Sequence, residues 1–285
     1  MRRITLLLVL ALGPFPSLGS TQAPRGIPAR EPTAEGLLDQ GDLAHAALRP
    51  GKALDDYLRV LSSDPNRYDA LWRAAREAVN LGMLATDGAE RKALNAEAED
   101  FARRARLADP SGVEGAEWLA IALGRQALDG GPRARVRLAV EVREAALAAL
   151  ALDSANAGAH HVLGVWHAEV RRLSGLERWL ARRLPGGAVF EEASWEVAEG
   201  HLLTSVALDP GGLIHRVDLA RLYRDTGRAE EARAQLREAL GRPAIEPVDP
   251  LHKQEAQELL RTLERGGDSE TPLGELSRSA SGGLP

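Results

Sequence analysis

Three of the seven histidines, His160, His161 and His167, fall within eight positions of one another. Grouped imidazoles could hold a transition metal or carry protons near neutral pH. Positions 160 and 167 lie two helical turns apart on one face. A single ion bound from one helix needs ligands at i and i+4, so the spacing favours packed, hydrogen-bonded imidazoles over a metal site. The second group is Arg171, Arg172, Arg178, Arg182 and Arg183, interleaved with Leu173, Leu176, Leu180, Leu184 and Trp179. This pattern predicts a basic amphipathic helix over residues 173–184. Such a helix either lays its apolar face on acyl chains with its arginines on lipid phosphates, or packs across its own fold with a solvated basic face. Arg171, Arg172, Leu176, Arg178, Trp179, Arg182 and Arg183 are therefore the candidate ligand or lipid contacts.

Other chemistry is absent from the sequence. It contains no glycine-rich phosphate loop, no HExxH and no GxSxG, the motifs whose mechanics can be read from residues alone. No catalytic residue, cofactor site or metal site is expected. There is no cysteine, which removes a disulfide framework, a thiolate centre and a lipid-modified cysteine. With 36 basic against 41 acidic side chains, the chain lacks the positive excess of a nucleic-acid binder. Acids such as Asp55, Asp56, Glu230 and Glu231 read as solvated faces.

The elements that must position these residues are helical. Ala, Leu, Arg and Glu dominate from Gly36 to Arg265, and no stretch alternates in the manner of a strand. Asp64-Pro65, Asp109-Pro110, Asp153-Ser154 and Asp209-Pro210 each follow an apolar helix end. Such recurring termini point to a helix-turn-helix repeat of about 34 residues, the tetratricopeptide pattern. The last complete unit carries Leu219, Ala220, Tyr223, Gly227, Ala232, Leu236 and Ala239 at the pattern's large, small, aromatic and turn positions. The first agrees at Gly41, Ala53, Tyr57 and Pro65, with Gly51-Lys52 marking its turn. His167 stands where the pattern places an aromatic. Trp72, Trp118, Trp166 and Trp195 fall one per unit and read as core, because large aromatics bury much area in a chain with only three Phe.

The Asp markers lie 45, 44 and 56 positions apart, so the middle units carry insertions. Residues 83–97 are expected to extend a turn, residues 128–133 to form a loop around Gly130-Gly131-Pro132, and residues 173–194 to precede a second helix resuming at Ala198. A final helix over 251–263 caps the array, as terminal repeats must cover an apolar face. The expected organisation is a signal peptide over 1–23, a linker over 24–34, a repeat domain over 35–265 and a disordered tail over 266–285. The leader has Arg2 and Arg3 before an apolar run from Ile4 to Leu12, too short to span a bilayer. Export is the expected localisation.

The segment Leu71-Trp72-Arg73-Ala74-Ala75-Arg76, the Trp118 helix, Leu163-Gly164-Val165-Trp166 and Leu173-Ser174-Gly175-Leu176-Glu177-Arg178 together resemble the regulator of microtubule dynamics family. The resemblance implies an all-α, tetratricopeptide-like helical-hairpin solenoid with lengthened middle units and no catalytic residues. In animals the family is associated with microtubules, and one member tethers organelles through a repeat domain that binds and transfers phospholipid. The leader and the Ala- and Arg-rich composition look bacterial, which leaves microtubules as a partner by family analogy alone. The expected function is an exported, non-enzymatic scaffold for a protein or peptide ligand, with phospholipid binding as the alternative.

Overall fold

A computed structural model describes residues 32–183 and 186–268. The expected leader and most of the linker lie outside these residues, as do Leu184 and the tail after Asp268. The described chain is helical and contains no strand. It forms five hairpins and a closing helix: α1 (Ala34–Ala46) with α2 (Pro50–Ser63), α3 (Tyr68–Leu84) with α4 (Gly88–Ala108), α5 (Val113–Asp129) with α6 (Pro132–Leu152), and α7 (Ala157–Arg172), which pairs with α9 (Trp195–Leu208) after the short α8 (Gly175–Ala181) and a 3₁₀ turn (Gly187–Glu192). The fifth hairpin is α10 (Leu213–Asp225) with α11 (Ala229–Gly241), and α12 (Asp249–Asp268) follows. Each hairpin packs on the next.

The recurrent aspartates are the joints. Asp64, Asp109, Asp153 and Asp209 each cap the C-terminus of a second helix. Each then accepts a hydrogen bond from the backbone N–H two residues on, as in Asp109 Oδ1 to Ser111 N at 2.9 Å and Asp153 Oδ1 to Ala155 N at 2.9 Å. These Asx turns satisfy backbone donors at the point where the chain reverses. Small residues set the hairpin spacing: Ala53, Ala220 and Ala232 are fully buried, and a Cβ on Gly41 would fall inside the Tyr57 ring. Gly227 takes φ +78° after α10, the left-handed C-cap that glycine adopts at least cost.

Several expectations are corrected. The first-unit turn is Ala47–Arg49, with Leu48 at φ 57°, and Gly51 lies inside α2, where Pro50 at the first helical position fixes the start. Residues 83–97 and 128–133 do not form long loops. Instead α3 and α5 have 17 residues and α4 and α6 have 21, against 13 and 14 in the first hairpin. Asp87 accepts from Ala89 N and Glu90 N, and so starts α4 only three residues after α3 ends. The final helix extends to Asp268 rather than stopping at 263, so residues 266–268 are helical rather than part of a tail. Asp56, read as solvated, is 1% exposed and bonds Lys52.

Candidate functional site

The first helices of the hairpins carry a chain of polar groups whose members bond one another across helix boundaries. In the first two hairpins, Asp42 accepts from Tyr57 Oη at 2.7 Å and Arg73 Nε at 2.9 Å. Fully buried Glu77 accepts from Arg76 Nε at 2.7 Å and Asn80 Nδ2 at 3.2 Å, with His45 Nδ1 at 2.9 Å. A buried carboxylate is tolerated only with such partners. Burial opposes the charge on Glu77, but His45 and Arg76 outweigh it and hold its pKa below the usual value. His45 reaches on to Glu246, 3.6 Å from its Nε2 in the segment between α11 and α12. Burial disfavours the imidazolium, yet the Glu246 and Glu77 carboxylates raise its pKa to about 9.

The chain continues through the middle of the array. Tyr68 Oη donates to Glu114 at 2.7 Å and Asn156 Nδ2 to Glu117 at 2.9 Å. His161 Nε2 lies 2.8 Å from Asp218 Oδ2, and Arg221 bridges Asp218 to Glu255, 3.0 Å away on α12. Burial pushes the Asp218 carboxyl up, but His161 and Arg221 reverse that and hold it far below the carboxylate range. Burial dominates at His161 and lowers its pKa despite Asp218. Arg221 supplies a permanent positive charge beside Asp218.

Arg125 on α5 differs. Among the described residues it makes no hydrogen bond or ion pair. It lines a 190 Å³ cavity with Gly82, Met83, Asn95, Asp129, Leu251 and Glu255. Burial lowers its pKa against the fields of Asp218 and Glu255, although a guanidinium stays charged regardless. The lining joins α3, α4 and α5 to α12. The array therefore curls until its last helix reaches back to its second hairpin, and the polar chain lines the inner face of that curl.

The helix expected over 173–184 is shorter, running from Gly175 to Ala181 as α8, with Leu184 outside the described residues. Ser174 N donates to Glu177 Oε2 at 2.8 Å and Glu177 N to Ser174 Oγ at 3.2 Å. This reciprocal capping box ends α7 and starts a separate seven-residue α8. The arginines are split as a result. Arg171 is exposed on α7, and Arg172 Nε is held by Asp225 of α10 at 2.6 Å. Arg182 bonds Glu191 at 3.0 Å, and Arg183 lies 4.2 Å over the ring of Trp179, which is 43% exposed. The side chains of Leu176 and Arg178 lie outside the described set.

Trp166 is core as expected, donating Nε1–H to Ala139 O at 2.7 Å and stacking on Phe190. Trp72, Trp118 and Trp195 are half-buried, and Arg73 and Arg76 lie over the Trp72 ring. His167 is buried against Trp166, but its Nδ1 finds no partner. The imidazole is packed as expected, and the hydrogen bond expected of it is not found among the described residues. No group of three or more metal-binding side chains converges among the described residues, and no described helix is long and apolar enough to cross a membrane. Sequence reasoning missed Glu77, Glu117, Arg125, Asp218 and Arg221. The available signal was a charge at a helix position bracketed by small apolar residues, as Glu77 is by Ala74 and Ala78.

Residues 37–264 match the family described as Regulator of microtubule dynamics protein 1-3. The chain is 27% identical over 230 residues to Regulator of microtubule dynamics protein 3 of Bos taurus, covering 78% of this chain and 48% of that protein. It is 28% identical over 198 residues to Regulator of microtubule dynamics protein 1 of the same species, covering 68% and 61%. The chain thus spans about half the length of the first of these relatives. In fold it is similar to a thermophilic TPR protein of Thermus thermophilus, with a TM-score of 0.60 at 22% identity over 80% of this chain and 100% of that one. On the extent of the family match and this helical-hairpin architecture, the chain belongs to the regulator of microtubule dynamics family.

Proposed function

We propose that the chain is a non-enzymatic, exported binding module that holds an extended segment of a partner protein along its inner face. The observation that carries this reading is the polar chain from Asp42 to Glu255, in which Arg125 makes no hydrogen bond or ion pair among the described residues. Stacked helical hairpins present extended binding surfaces of this kind, and pre-paired side chains lose little further freedom when a ligand arrives. A peptide backbone and its carboxylates supply the acceptors that Arg125 lacks. Cavities of 300 and 190 Å³ sit at or below the lower end of the roughly 300–1,000 Å³ typical of small-molecule sites. The microtubule association in the relatives' names bears on this chain only as a candidate for the partner's identity.

The test is hydrogen–deuterium exchange on the protein with a peptide selected against it by display. Slowed exchange in α3, α5, α7 and α10 supports the reading, and slowing confined to α2, α4, α9 and α11 refutes it. A second reading, contact with a phospholipid surface, is favoured by exposed Trp179 beneath Arg183, since tryptophan and arginine suit the membrane interface. Flotation with anionic vesicles tests it: the double variant Trp179→Ala, Arg183→Ala should lose binding, and unchanged binding removes the reading.

A further inference from the structure

Five of the seven histidines gather where α7 meets α9 and α10, in two sets with different partners. On the α10 side, His161 faces Asp218 at 2.8 Å, and His215 faces Asp209 at 3.3 Å. On the α9 side, His160 and His201 face each other Nδ1 to Nδ1 at 2.8 Å. His167 stacks on the His201 ring at 6.0 Å with an interplanar angle of 19°. Among the described residues no carboxylate pairs with any of these three rings.

The protons of the facing pair follow from one further contact. His160 Nε2 is 3.1 Å from the carbonyl oxygen of Ser154, which can only accept, so that nitrogen carries hydrogen. A neutral His160 therefore presents a lone pair at Nδ1, and His201 must donate from its own Nδ1. The two rings share one proton between the facing nitrogens. A further proton on His160 would set two N–H groups head to head at 2.8 Å unless His201 gave up its donor tautomer, and protonating both rings leaves no acceptor.

The surroundings offer such charges little compensation. From α6, Arg143 approaches; it lies 5.6 Å over the Trp166 ring beside His167 and is paired with Glu192 of the 3₁₀ turn. From α7 come His160 and His167, and from α9 His201. The nearest groups of α10, Asp218 and His215, are turned to His161. Burial, then His201 and Arg143, lower the pKa of His167 to about 4, and burial with His160 lowers that of His201.

We propose that His160 and His201, backed by His167, form an acid-sensitive clasp that holds α7 to α9 near neutral pH and releases the fourth hairpin on acidification. The proposal is independent of what the inner face binds. Its sign follows from linkage. His201 and His167, whose pKa values the fold lowers, take up protons more readily when unfolded, so stability falls as pH drops below about 6.5. Each such ring raises the unfolding constant by up to about tenfold per pH unit. The aspartate-paired histidines on the α10 side do not share this head-to-head geometry.

The test joins nitrogen-detected NMR of the imidazoles in the full chain with exchange measurements. Near pH 7.5 the clasp requires the Nε2–H tautomer at His160 and the Nδ1–H tautomer at His201. Near pH 5.5 it requires faster exchange in α7 and α9 than in α10 and α11, after correction for intrinsic rates. His201→Phe keeps a ring on His167 and removes the shared proton. It should be less stable than the parent near pH 7.5 and lose most of that deficit near pH 5.5. An Nε2–H tautomer at His201 would overturn the proposal, as would a His201→Phe deficit that does not change with pH.

Discussion

His161 on α7 donates to Asp218 on α10 at 2.8 Å, a bond that ties the first helix of the fourth hairpin to that of the fifth. The side chains are 16% and 13% exposed, and Arg221 completes the charge balance. Asp218→Ala should destabilise the chain by about 2–3 kcal/mol, below the roughly 3–5 kcal/mol of a fully buried pair because some water reaches the site. Asp218→Asn, which keeps an acceptor for His161 but loses the Arg221 ion pair, should cost less. Urea unfolding of both variants measures the difference.

Two glycines should respond in opposite directions to the same change. Gly41→Ala places a methyl in the Tyr57 ring and should destabilise by roughly 1–3 kcal/mol. Gly200 lies within α9 with nothing within 4 Å of its would-be Cβ, so Gly200→Ala should stabilise by roughly 0.5–1 kcal/mol. Thermal melts of the pair test whether α1 and α2 approach as closely as described.

His45 gives the array an alkaline limit. Its pKa is raised to about 9, so its contribution to stability is fully present below the unfolded value of 6.5 and is lost as pH rises through about 9. The loss is at most about 3 kcal/mol. Denaturant midpoints from pH 6 to 10 should fall across that window, and His45→Gln should flatten the fall. An unchanged profile in the variant would show that His45 does not hold α1 to the Glu246 segment.

Arg172 and Trp179 were grouped by sequence, but the structure separates their roles. Arg172 joins α7 to Asp225 of α10, so Arg172→Ala should lower the melting temperature by a few degrees, as the loss of about 1 kcal/mol does. Trp179→Ala, at an exposed ring on α8, should leave it nearly unchanged.

The repeat was legible because its marks are local. The Asp joints, the small residues at 41, 53, 220 and 232 and the turn glycine at 227 each act within one hairpin. The capping box at Ser174 and Glu177 was equally local, but the leucine and arginine periodicity running through it masked it. The inner-face network was not legible, since His45 and Glu246 become neighbours only once several hairpins have stacked and curled, and Arg221 meets Glu255 only when α12 packs on α10. Glu77 on α3 carried one mark, the small residues Ala74 and Ala78 around it, whereas Arg125 on α5 has the composition of a solvated helix face and only tertiary burial distinguishes it.

The central claim is that the inner face is the binding surface, and the most direct measurement is the affinity of a display-selected peptide for Arg125→Glu beside an outer-face control, Leu203→Gln on α9. An inner binding face predicts at least a tenfold loss for Arg125→Glu, about 1.4 kcal/mol, with the control's affinity unchanged and both variants still helical by circular dichroism. Equal affinity for Arg125→Glu and the parent, or a loss confined to Leu203→Gln, would contradict it.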